Sequence, residues 1–118
     1  MEIDEFLEYL KNVKRYSPLT VKAYEEDLNQ FSEFCEKVEF IQEWSEVTSG
    51  MVRRFEAGLM SGKLEFSNAK RSYRPKPMTP KSVRRKLSSL RTFFRYQMRE
   101  GMIADNPTEI IVAPKIGK

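Results

Sequence analysis

Apolar residues recur along this chain at the three- and four-residue spacing of amphipathic helices. Near the N-terminus this spacing predicts a first helix over about residues 3–13. Its inward face comprises Ile3, Phe6, Leu7, Leu10 and Val13. No segment shows a convincing strand-like alternation of apolar and polar residues, so the pattern predicts an all-α fold.

The second helix has a clear start signal in the sequence SPLT. Ser17 is a good acceptor for free backbone N–H groups, and Pro18 suits the first helical position because no N–H donor is needed there. The predicted core face consists of Val21, Tyr24, Leu28, Phe31 and Cys35. Cys35 is interpreted as a small buried apolar residue, and the three adjacent acids at 25–27 as solvated surface.

A third helix is predicted to begin near Thr48 and to end before Gly62. Its inward residues are Val52, Phe55 and Leu59. We expect Trp44 to pack against the corner that precedes it. The loop at 63–78 contains prolines that disfavour a helix, and its polar centre at 67–69 is compatible with a hairpin turn.

The fourth helix is predicted to be capped by Thr79, to have Pro80 as its first residue and to stop at Gly101. Its apolar residues fall within an arc of about 80° on a helical wheel. These predicted core residues are Val83, Leu87, Leu90, Phe94 and Met98.

A neighbouring arc of about 120° on the same helix holds cations and hydroxyl groups without a carboxylate. It comprises Lys81, Arg84, Arg85, Ser88, Arg91, Thr92, Arg95 and Arg99, while Lys86 falls on another side. Ordinary exposed helices intersperse both signs of charge, whereas like charges such as Arg91 and Arg95 repel each other here. A partner that supplies phosphate groups would relieve this repulsion.

The charge distribution along the chain strengthens this interpretation. The net charge is only +4, yet residues 1–47 contain twelve acidic and five basic residues, while residues 66–99 contain eleven basic residues and no acid. A charge run is often only a solvated face, but a field this one-sided attracts a polyanion.

The residue inventory excludes several functions. The chain has 118 residues, no histidine and one cysteine. It is therefore expected to be one domain without histidine-based catalysis, an internal disulfide or a conventional zinc site, and we predict no metal and no cofactor. No apolar run is long enough to span a membrane, so a soluble, cytoplasmic protein is expected.

Two anionic partners are compatible with the basic helix face. A membrane-surface helix would place its apolar side in lipid, but that side is needed here for packing against the other helices. Double-stranded DNA fits better, because the major groove accepts an α-helix and Arg, Lys, Ser and Thr all bind phosphates or base edges.

Three stretches together resemble the N-terminal core-binding, or SAM-like, domain of tyrosine recombinases, the phage integrase family. They are SPLTVKAYEEDLNQFSEFC, TPKSVRRKLSSLRTFFRYQMREGMI and DNPTEIIVAPK, which follow one another in the family's order. They are similar to its second helix, its fourth helix and the turn and linker before its catalytic domain. The loop at 63–78 departs from the family by being longer than usual.

The resemblance implies a bundle of four or five helices at 1–113 that clamps duplex DNA at a recombination core site for integration, excision or resolution. It implies that residues 114–118 begin a linker to an absent catalytic domain, which would carry the nucleophilic tyrosine. This chain is accordingly predicted to be non-catalytic. The isolated domain is expected to be a monomer, and the full-length protein a tetramer on paired DNA sites.

By the same resemblance the second and fourth helices face DNA. The predicted DNA-binding residues are Ser17, Thr20, Lys22, Lys81, Arg84, Arg85, Ser88, Arg91 and Arg95. Ser17 and Thr20 are equally explained as helix caps. Two other functions stay open: a basic helical module that docks an acidic protein, and a stand-alone helix-turn-helix regulator, against which the long loop at 63–78 speaks.

Overall fold

A computed structural model describes residues 1–64 and 77–112 of the chain. The helices within these ranges are α1 (Asp4–Asn12), α2 (Pro18–Lys37), α3 (Ser49–Ser61) and α4 (Pro80–Arg99), with a short 3₁₀ helix at Trp44–Glu46 between α2 and α3. Every regular element of the described part is helical, which confirms the predicted all-α fold. The turn predicted at 67–69, most of the predicted loop and the predicted linker at 114–118 lie outside the described residues.

The predicted starts of the second, third and fourth helices are confirmed by side-chain caps. The hydroxyl oxygen of Ser17 accepts a hydrogen bond from the backbone N–H of Thr20 at 3.3 Å. Thr79 accepts in the same way from Ser82 at 3.2 Å, and a threonine also caps α3. These caps satisfy backbone donors that have no partner in the first turn of a helix. They make the sequence positions of α2, α3 and α4 well defined.

The core is built around aromatic rings from all four helices and the 3₁₀ segment. The ring centroid of Trp44 lies 4.7 Å from that of Phe93 and 6.2 Å from that of Phe31. Phe93 also meets Phe6 edge-on at 5.2 Å, and Phe31 meets Phe55 at 5.0 Å. Edge-to-face rings at these separations attract each other beyond their simple burial. Trp44 therefore packs against rings of α2 and α4 at the centre of the core, whereas the sequence analysis placed it at the corner before α3.

The predictions that Val13 and Met98 belong to the core are wrong. Val13 is exposed because α1 ends at Asn12, which leaves Val13 as the capping residue outside the helix. Met98 is also exposed, while Phe93, which was not predicted, is fully buried. The buried face of α4 is wider than predicted and extends toward Phe93 and Tyr96, which leaves Met98 at its opposite edge.

In the described part of the chain no helix is long and apolar enough to cross a membrane.

The orientation of α4, with Phe93 buried and Met98 exposed, predicts different losses of stability for truncations at these two positions. Phe93→Ala should lower the free energy of unfolding by about 3–5 kcal/mol, because it removes a buried ring and leaves a cavity. Met98→Ala should change it by less than about 1 kcal/mol, because the side chain is half exposed. Urea unfolding followed by Trp44 fluorescence measures both. Equal losses of unfolding free energy in the two variants would contradict the observed orientation of α4.

Burial of Cys35 predicts a second stability effect. Burial raises the pKa of its thiol from 9.0 to about 12, and nearby Glu39 and Glu36 add to the rise. The unfolded chain therefore loses this proton first, so the thiol's contribution to stability is full below about pH 9 and falls as the pH rises toward 12. At pH 8 native Cys35 should react with a thiol reagent roughly a thousandfold more slowly than in urea. A similar rate in both states would contradict the buried position.

Candidate nucleic-acid interface

A groove of about 580 Å³ runs between the first half of α2 and the first half of α4. Its lining residues are Leu19, Thr20, Ala23, Tyr24, Asp27, Lys81, Arg84, Arg85, Ser88 and Ser89. The wall contributed by α2 is largely apolar, and the wall contributed by α4 carries cationic side chains and serine hydroxyl groups. The groove therefore brings together Thr20 and four of the residues that the sequence predicted on the fourth helix.

Ser17 lies at the helix N-terminus beside this groove. Its hydroxyl group lies 3.0 Å from that of Thr20, and both residues are exposed. The backbone N–H of Thr20 also donates to Ser17, so the capping role proposed from the sequence is real. An exposed hydroxyl pair at a helix N-terminus can in addition donate to an anion. Lys22 is exposed on α2 but does not line the groove.

Asp27 corrects the interpretation that residues 25–27 are solvated surface. Its side chain is only 1% exposed. One carboxylate oxygen accepts hydrogen bonds from the ammonium of Lys86 at 2.9 Å and from Arg85 at 3.0 Å. The other accepts from the hydroxyl of Ser89 at 2.8 Å. Asp27 is thus the floor of the groove and joins α2 to α4.

The buried position of Asp27 follows from a spacing in the sequence. Asp27 lies four residues before Phe31 and seven before Phe34, and both phenylalanines are buried, so it shares their helix face. The sequence analysis missed this signal because three adjacent acids resemble an ordinary wet face. Lys86 was placed on another side of α4 and is indeed buried there, where it also donates to Gln30.

The exposed cations of the groove differ in how they are held. Lys81 and Arg84 are exposed and form no ion pair within the described ranges. Arg85 is 58% exposed although it pairs with Asp27. Ser88 is exposed on the same wall. The site therefore presents three cations and a hydroxyl to solvent, and one of the cations has a fixed anchor.

Arg91 and Arg95 continue the cationic stripe of α4 beyond the groove. The guanidinium of Arg91 donates a hydrogen bond to the backbone carbonyl of Ile111. Its positive charge also acts on Glu56 of α3, where burial raises the pKa of the carboxyl and Arg91 partly offsets that rise. Arg95 is exposed. Arg91 is consequently engaged inside the fold, whereas Arg95 is accessible.

Within residues 1–64 and 77–112 no cluster of three potential metal ligands occurs. The chemical capacity of the groove is the binding of an anion along its cationic wall, beside apolar surface from Leu19 and Tyr24.

Comparison with known proteins decides the family. The model of the phage integrase N-terminal SAM-like domain matches residues 3–101. The chain belongs to this family. The match confirms the resemblance proposed from the three sequence stretches and includes every helix of the described fold. No solved structure matches the chain significantly.

Full-length relatives of this SAM-like domain are named tyrosine recombinase XerC. The chain is 37% identical over 117 residues to the protein from Alcanivorax borkumensis, covering 98% of this chain and 32% of that protein. It is 34% identical over 110 residues to the protein from Anoxybacillus flavithermus, covering 93% of this chain and 32% of that protein. The protein from Oceanobacillus iheyensis is 36% identical over 116 residues, with 98% and 33% covered. The chain spans about a third of the length of these curated relatives.

The geometry predicts that Asp27 is needed for stability. Asp27→Asn leaves the ammonium of Lys86 buried without a counter-charge, so the free energy of unfolding should fall by about 3–5 kcal/mol. Glu26→Gln is the matched control, because Glu26 is the exposed neighbour on the same helix, and it should cost less than about 0.5 kcal/mol. Thermal and urea unfolding of the two variants decide between this network and a solvated acid.

Proposed function

We propose that this chain is the DNA-binding domain of a site-specific tyrosine recombinase or integrase. The observation that carries the proposal is the convergence of Thr20, Lys81, Arg84, Arg85 and Ser88 on one groove in a chain of this family. Arg and Lys neutralise phosphates, while Ser and Thr hydroxyls bind either phosphates or base edges. This combination suits duplex DNA.

The proposed interface extends along α4 and onto the start of α2. Lys81 to Arg95 spans about 21 Å of helix axis at about 1.5 Å per residue, a length comparable to several base pairs of a duplex. On α2 the hydroxyls of Ser17 and Thr20 and the ammonium of Lys22 complete the proposed site. Arg91 contributes less, because its guanidinium is already held by the carbonyl of Ile111.

The domain's proposed task is to grip DNA while another part of the recombinase carries out strand exchange. No step of phosphodiester chemistry is assigned to this chain, which has no histidine to act as a general acid or base. We propose a monomer for the isolated domain and a tetramer on paired DNA sites for the full-length protein. DNA integration, excision and resolution are all compatible with the proposal.

The salt dependence of binding tests the electrostatic part of the proposal. If about five cations meet phosphates, the log of the association constant should fall against the log of salt concentration with a slope of about −4 to −5. The five expected contacts are Lys22, Lys81, Arg84, Arg85 and Arg95. Fluorescence anisotropy of a labelled duplex at several salt concentrations measures the slope. A binding constant that hardly changes with salt would contradict the electrostatic part of the proposal.

Single substitutions test where DNA binds. Arg84→Gln and Lys81→Gln should each weaken binding about three- to tenfold and reduce the salt slope by about 1, because each removes one phosphate contact. Lys11→Gln is the matched control, since Lys11 is an exposed cation on α1, away from the groove. An equal loss in all three variants would indicate a non-specific effect of net charge.

An NMR titration with a short duplex locates the interface independently. The signals of residues 17–22 and 81–95 should shift when DNA is added. These shifts should become smaller as the salt concentration rises. Shifts scattered over α1, or none, would instead favour a module that docks an acidic protein through its basic face. Competition between the two partners is a further test, because double-stranded DNA that displaces an acidic protein from the basic face would argue against the protein-docking module.

A further inference from the structure

The buried carboxylate of Asp27 has one more cationic partner than its charge requires. Its single negative charge faces the ammonium of Lys86 and the guanidinium of Arg85, at 2.9 and 3.0 Å from the same oxygen. Lys86 is 6% exposed and Arg85 is 58% exposed. The buried lysine alone balances the carboxylate, so the surplus positive charge of the cluster lies on Arg85, at the groove surface.

Arg85 also keeps most of its hydrogen-bonding capacity. A guanidinium has five N–H donors in a rigid planar fork. Within the described residues one terminal nitrogen of Arg85 donates to Asp27, which leaves the remaining donors for another acceptor. The contact therefore fixes the guanidinium at one edge without using it up.

The neighbouring cations of the groove have no such anchor. Lys81 and Arg84 are exposed and form no ion pair in the part of the chain that the structure describes. A long side chain that must be ordered on binding loses rotamer entropy, and a side chain that is already ordered does not. Among the cations of this wall, Arg85 consequently loses the least rotamer entropy when it binds an anion.

Resting on the proposed DNA-binding function, we propose that Asp27 is a positioning residue for DNA recognition. Its carboxylate, with its charge balanced by Lys86, holds the guanidinium of Arg85 in the groove so that the free edge of the fork meets a DNA phosphate. Ser89 completes the arrangement by fixing the second carboxylate oxygen. The opposite effect, in which Asp27 withdraws Arg85 from DNA, is the outcome that the following experiment distinguishes.

The decisive variant is the double substitution Asp27→Asn with Lys86→Met. It removes one negative and one positive charge, so the net charge of the domain and its general attraction to DNA are unchanged. Positioning by Asp27 predicts duplex binding about three- to tenfold weaker than in the wild type, because Arg85 loses its charged anchor. Unchanged affinity would reduce Asp27 to a structural role, and tighter binding would mean that Asp27 sequesters Arg85; either result overturns the proposal.

A double-mutant cycle assigns the effect to Arg85. The same pair of substitutions is introduced into an Arg85→Gln background, where there is no guanidinium to position. The loss of affinity caused by the pair should disappear in that background. If the loss persists at full size, Asp27 acts through something other than Arg85, and the proposal fails.

A surface substitution provides a second test that does not disturb the core. Arg85→Lys conserves charge, but an ammonium on a flexible stem does not reproduce the fixed planar arrangement of guanidinium donors between Asp27 and a phosphate. Binding should weaken severalfold, and by more than in Arg84→Lys, which alters a contact of the groove that has no anchor. Arg53→Lys is the matched control, because Arg53 is an exposed arginine of α3 that does not line the groove, and it should leave binding unchanged. Equal losses at Arg85 and Arg84 would contradict the proposal. This comparison decides the matter if the double variant loses the cooperative unfolding transition of Trp44 fluorescence.

The free protein separates this proposal from the proposed function. In NMR spectra without DNA, the Nε–H signal of Arg85 should show slower motion than that of Arg84, and the difference should vanish in the double variant. Ordering of Arg85 together with no DNA binding by the wild type would refute the proposed function, and with it the role of the contact in DNA recognition, but not the ordering of Arg85 by Asp27. Equal mobility of the two arginines would refute positioning by Asp27, whatever the wild type binds.

Discussion

The buried contact between Asp27 and Lys86 is the constraint on which the groove depends. A charge removed from water is costly unless a partner lies at hydrogen-bonding distance, and breaking such a pair costs more than forming it contributes. The ammonium of Lys86 on α4 lies 2.9 Å from the carboxylate of Asp27 on α2, so the pair links the two helices directly. We infer that the pair matters more for the register of these helices than for net stability. That register sets the apolar wall of α2 opposite the cationic wall of α4.

Helix α4 serves the core and the surface at the same time. Phe93 and its apolar neighbours pack against rings from α1, α2 and the 3₁₀ segment. Lys86 and Ser89 lie between that apolar face and the solvent and bind Asp27. The outermost face carries Lys81 and Arg84 into the groove. Because one rigid helix carries all three faces, the same packing that stabilises the fold also holds the candidate interface.

The positive charge of α4 is not uniformly available to a partner. Lys86 is neutralised inside the protein, Arg91 is held by a backbone carbonyl, and the guanidinium of Arg99 lies 4.9 Å from the ring centroid of Tyr9. The accessible cations lie mainly at the first half of the helix and at Arg95. Some cations of this helix are therefore engaged in contacts within the protein, and the others face solvent without such contacts. A count of basic residues overstates the charge that DNA would meet.

Local chemistry in the sequence determined the helices and most of the core. Caps at Ser17, Thr48 and Thr79 define where helices begin, and periodic apolar residues define their buried faces, because both effects act within a few residues of the chain. The match of the family to residues 3–101 confirms what the order of the motifs indicated. The predicted boundary at residue 113 and the roles of the nine predicted DNA-binding residues stay predictions.

The tertiary structure alone decided which partner each of these charged side chains meets. On a helical wheel Arg91 and Arg95 lie on the same face, yet in the described part of the chain it is Arg91 that donates a hydrogen bond to the carbonyl of Ile111, in the segment that returns past α4. Asp27 and Glu26 are adjacent acids, yet only Asp27 faces Lys86 across the helix interface. These differences depend on residues about 20 to 60 positions away in the chain, and helical periodicity carries no information about contacts at that distance.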